Sequence, residues 1–130
     1  MTTTEDIEGY LIQMGVNYEE IAKQTWLIQD DRESLKNIVI SLNDPVVVFH
    51  VKLMEIPAKC DRIELYETLL SLNTTDMMAG AYGLENNTVV ATDTLQSENL
   101  DFNEFQASVD ALHMCITDHY KKKLARFHTV

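Results

Sequence analysis

A chain of 130 residues, 45% hydrophobic and 24% charged, reads as one globular domain over residues 1–130, with too much apolar content for disorder. Its net charge of −11 repels phosphate backbones and argues against nucleic-acid binding. Cys60 and Cys115 make no disulfide framework, Met1 opens no basic leader, and no apolar run is long enough for a bilayer, so a cytoplasmic protein without membrane contact is expected.

Thr2 with Glu5 reads as a capping box, and Ile7, Tyr10, Leu11 and Met14 recur at helical spacing before Gly15, a residue suited to end a helix. Tyr18 to Gln29 is strand-like, with an interruption at Lys23-Gln24 that reads equally as a turn or a bulge. Asp30 to Lys36 is a charged turn. Asn37 to Leu42 is a β-branched strand, joined through Asn43-Asp44-Pro45 to a second strand over Val46 to Ile56. In that second strand Val47, Phe49, Val51 and Leu53 alternate with Val48, His50, Lys52 and Met54, as expected of a sheet covered by helices on one side.

Pro57 stops the strand, and Asp61 with Glu64 starts a helix to about Asn73. Its apolar set, Ile63, Leu65, Tyr66, Leu69, Leu70 and Leu72, covers about half the circumference. Such an arc fits a helix set deep in the domain or one that also faces a second subunit. Gly80 to Leu84 and Thr88 to Leu95 pair around Asn86-Asn87, expected to form a type I′ turn. Asp101 with Glu104 is a third capping box. It opens a long helix to about Arg126, whose stripe is Phe102, Phe105, Val109, Leu112, Ile116, Tyr120 and Phe127. The order α-β-β-β-α-β-β-α defines an α+β fold, an antiparallel sheet flanked by helices.

No catalytic, cofactor or metal site emerges. On one helix His113 and Cys115 lie on opposed faces, and His113 falls within the apolar stripe, so packing explains it better than ligation. Cys115 reads as a small hydrophobe, and Cys60 lies in a turn between Lys59 and Arg62. Glu19-Glu20 and Asp30-Asp31 are adjacent, so in strands they point to opposite faces. Asp93, an acid inside a strand, is the odd one, with the solvent face as its simplest place. Lys121, Lys122, Lys123 and Arg126 suit a helix C-terminus. Met14, Met54, Met77, Met78 and Met114 fall at element ends or on less apolar faces, where methionine suits a surface that accepts varied partners.

Trp26-Leu27-Ile28, Asp44-Pro45-Val46-Val47-Val48, Leu69-Leu70-Ser71-Leu72-Asn73, Gly80 to Glu85, Asp93-Thr94-Leu95 and Glu98 to Ser108 together resemble the type III secretion chaperone fold, in particular its YbjN-like and CesT/Tir-chaperone-like group. The resemblance spans about residues 5–120. It implies a small acidic protein without enzymatic activity, a homodimer, binding extended segments of another polypeptide along apolar grooves. No catalytic residue carries over, and the client stays unidentified.

The expected function is therefore a chaperone-like or adaptor module for a secreted effector or a regulatory partner. Leu65, Leu69 and Leu72 are the expected anchors of a dimer or partner interface, with Met54, Met77, Met78 and Met114 beside them, and a free sheet edge is suited to an added client strand. The alternative is a small-molecule sensor or enzyme with a pocket between sheet and helices, lined by His50, Asp93 or His113.

Overall fold

The computed structural model describes residues 2–29, 37–77 and 79–128. The expected turn over 30–36 and the Met78 interface position lie outside these. Helix α1 (Thr4–Met14) is followed by strands β1 (Tyr18–Ala22), β2 (Thr25–Ile28), β3 (Val39–Asn43) and β4 (Val46–Glu55). Then come helix α2 (Arg62–Thr75), strands β5 (Ala81–Glu85) and β6 (Thr88–Gln96), and helix α3 (Phe102–Met114). All strand pairs are antiparallel, in the order β1-β2-β3-β4-β6-β5.

The Lys23-Gln24 interruption is a turn, with Gln24 at φ 55°, and a register shift between Glu20 and Ala22 adds a bulge beside it. The segment is thus a hairpin, and four strands precede α2. The first capping box forms one residue later than expected. Thr3 accepts from the Asp6 N–H, and Asp6 accepts from the Thr3 N–H in return. Thr2 is instead buried and donates to the Ser97 carbonyl. Gly15 ends α1 in the left-handed region at φ 75°. Of Asn86-Asn87 only Asn86 has positive φ, so the pair is not a type I′ turn. The Asn87 side chain instead donates to the Ile56 carbonyl and accepts from Arg62.

The core lies on one face of the sheet. Trp26, Ile28, Ile40, Val47, Phe49, Val51 and Ala91 point into it, met by Ile7 and Leu11 of α1, Leu65 of α2, and Phe105, Val109 and Leu112 of α3. Phe49 and Phe105 meet edge to face with centroids 5.2 Å apart. A register shift between Lys52 and Met54 breaks the alternation of β4, so Met54 is buried, the reverse of its expected face.

Beyond Met114 the helix widens to π winding over Cys115–Leu124 and closes with a helical turn, Ala125–His128. In α register at about 100° per residue, the stripe through Leu112 brings Lys123 inward and turns Leu124 away. The wider register resolves that conflict. Leu124, Cys115 and His119 are buried, while Ile116 and Tyr120 of the expected stripe are only half-buried.

Candidate functional site

Helix α2 lies along β5, the last strand of the sheet, because its Asn73 side chain substitutes for a neighbouring strand. The Asn73 amide donates to the Tyr82 carbonyl at 3.3 Å, and its oxygen accepts from the Tyr82 N–H at 2.7 Å. Beside this contact Tyr66, Leu69, Leu70, Tyr82, Gly83 and Leu84 enclose an open groove whose walls present carbon almost throughout. Leu70 is 66% exposed and Leu84 48% exposed, and Ile63 stands out on the same helix.

Tyr82 of the groove is tied to the C-terminal helix by a polar chain that is buried at Tyr82 and His119 and reaches the surface at Asp76. The Tyr82 hydroxyl lies 2.5 Å from His119 Nδ1, and His119 Nε2 lies 3.3 Å from Asp76 Oδ2. Lys123 donates to that same carboxylate oxygen at 3.1 Å, and Arg126 pairs with Glu64 at 2.9 Å. The segment from His119 to Arg126 therefore runs antiparallel to α2, and its basic residues reach acids on that helix. Burial, then the neighbouring Cys115 thiol, pushes the Tyr82 hydroxyl above the ordinary phenol range. Burial also raises the Cys115 thiol, whose sulfur lies 3.6 Å from Met77 Sδ. The Thr75 hydroxyl and then Lys123 hold Asp76 below the ordinary carboxylate range.

Among the expected interface residues, Leu65, Leu69 and Leu72 are buried in the chain's own core. The outward surface of α2 comes instead from Ile63, Tyr66 and Leu70, with Leu69 reaching the groove from inside. Helical spacing showed a wide arc, but only the packing divides it into an inner and an outer half. Met54 is buried, while Met77 and Met114 are half-buried. His50 and Asp93 lie on opposite faces of the sheet, since Asp93 pairs with Phe49, the neighbour of His50. His50 meets Glu85 at 3.2 Å on one face, and Asp93 accepts from Ser108 of α3 at 2.6 Å on the other, so the two share no pocket. His113 is half-buried, whereas His119 is buried. Among the described residues, no three histidine, cysteine or acidic side chains gather to hold a metal, and no helix is long and apolar enough to cross a membrane.

Known proteins supply the remaining context. Three similar solved structures share the fold. YbjN from E. coli matches at 14% identity and a TM-score of 0.68, with 92% of each chain covered. A chain of the heterodimeric ExoU–SpcU complex from the Pseudomonas aeruginosa type III secretion system matches at 15% identity and a TM-score of 0.69, covering 95% of this chain and 98% of that one. The HopA1–SchA chaperone–effector complex matches at 11% identity and a TM-score of 0.63, covering 86% of this chain and 88% of that one. No curated protein matches in sequence. The CesT_Tir_1 family model, however, matches residues 1–129, and the chain belongs to that family.

Proposed function

We propose that this protein is a single-domain, chaperone-like or adaptor protein that binds another polypeptide, has no enzymatic activity, and works as a homodimer. Membership of the CesT_Tir_1 family over residues 1–129 carries the binding function. It is supported by the fold shared with chains of a type III secretion heterodimer and of a chaperone–effector complex. A secreted effector or a regulatory protein is the class of client.

The groove supports self-association. A two-fold interface needs protruding and recessed surface on the same patch, and exposed Leu70 and Leu84 stand at the rim of an apolar hollow. The client is better served by the other end of the sheet. There β1 is an edge strand among the described residues, and its Glu19 to Ala22 are all exposed, suited to an added strand in the manner of β-augmentation.

Light scattering across a dilution series tests the dimer, with Leu70→Asp and Leu84→Asp expected to yield monomers of unchanged circular dichroism. A wild-type chain that stays monomeric at every concentration ends the dimer reading. Capture from the native cell tests the client, and recovery of no polypeptide in comparable amount counts against binding.

A further inference from the structure

We infer that His119 is a positioning residue for the groove: by holding the Tyr82 hydroxyl it turns the polar end of that ring away from the groove and leaves an apolar floor for a second copy of the chain. The inference rests on the reading of the groove as a self-association surface.

Tyrosine is a poor floor for an apolar groove unless its hydroxyl is satisfied elsewhere, because an unpaired buried hydroxyl is costly. Here Tyr82 lines the groove, while its hydroxyl reaches His119 Nδ1, which is not among the lining residues. His119 is itself 2% exposed, with its other nitrogen against Asp76, so its orientation is fixed from both sides. The backbone of Tyr82 is held independently by Asn73 and by pairing with Ala91 of β6. His119 thus governs the ring and not the strand. Without it, the hydroxyl keeps only the neighbouring Cys115 thiol, a weak partner, and the ring loses the contact that anchors its polar end away from the groove.

Three variants separate this role from simple loss of stability. His119→Leu fills the space but leaves the hydroxyl only the weak Cys115 thiol, and weakens self-association about tenfold. Tyr82→Phe combined with His119→Leu restores the dissociation constant to within about threefold of wild type, because no hydroxyl remains to be satisfied. His119→Gln, which keeps an acceptor and a donor, stays near wild type. Sedimentation equilibrium reads all three. Proton NMR reads the ring itself, as contacts from the Tyr82 ring protons to Cys115 that His119→Leu abolishes. An unchanged constant in His119→Leu, or an equal loss in the double variant, overturns the inference. A wild-type monomer removes the dimer reading alone, and the NMR contacts then decide the positioning: their persistence in His119→Leu overturns it.

Discussion

Asp93, in the middle of β6, accepts a hydrogen bond from the buried Ser108 hydroxyl of α3 at 2.6 Å. Its second oxygen accepts from the Thr94 N–H at 2.9 Å. An acid that looks misplaced in a strand is therefore a tie between sheet and helix on the core face. Asp93→Ala leaves the Ser108 hydroxyl without this acceptor and costs about 1–3 kcal/mol, with Asp93→Asn milder. Urea unfolding followed by Trp26 fluorescence measures both, and equal stability in the two variants contradicts the tie.

Gly80 sits against the same part of β6. At φ 73° a side chain is strained, and an added Cβ falls 2.5 Å from the Thr92 carbonyl oxygen. Gly80→Ala costs more than about 1 kcal/mol. Gly9, exposed within α1 with nothing near its missing Cβ, behaves oppositely, and Gly9→Ala adds about 0.5–1 kcal/mol. Thermal unfolding of the pair shows the two signs.

Asp76 predicts a pH dependence. Its carboxyl titrates below the ordinary value of 3.8, through the Thr75 hydroxyl and then Lys123. A carboxylate depressed in the folded state stabilises above its unfolded value, and that contribution disappears as the pH falls through the folded value. Amide exchange over residues 119–127, corrected for intrinsic rates, should therefore stay slow to about pH 4 and quicken below it. Asp76→Asn should flatten the profile, and an unchanged profile argues against the tie.

The two thiols should differ sharply. Cys115 is fully buried and its thiol is raised by that burial, whereas Cys60 is half-exposed in a turn. One equivalent of a thiol reagent should react in the native protein, and the second more than about 100-fold slower, until denaturant is added. Cys115→Ser should leave the fast phase intact.

Local signals were legible wherever one element's own residues decide its form. Gly15 and the Asp101–Glu104 box end and start helices as read, since both act within one turn. The Lys52/Met54 bulge was not legible, because neighbouring apolar residues satisfy either alternation until a partner strand sets the register. The π winding places Leu124 inward and leaves Lys123 to reach Asp76, just past the end of α2, a long-range pairing that helical spacing alone does not show. The groove was half legible. The arc of α2 announced more apolar surface than a core needs, but Tyr82 and His119 are 37 residues apart and nothing local joins them.

The Asn73 amide on β5 has a consequence for how copies of this chain can add up. A sheet with two free edges can extend without limit, each copy offering its far edge to the next. Here one of the two edges has its Tyr82 backbone groups already taken, and an arriving strand must first displace a side chain fixed on α2. Among the described residues, an arriving strand therefore meets a harder approach at β5 than at β1. The built-in side-chain pair thus makes β5 the less receptive edge for growth of the sheet from chain to chain.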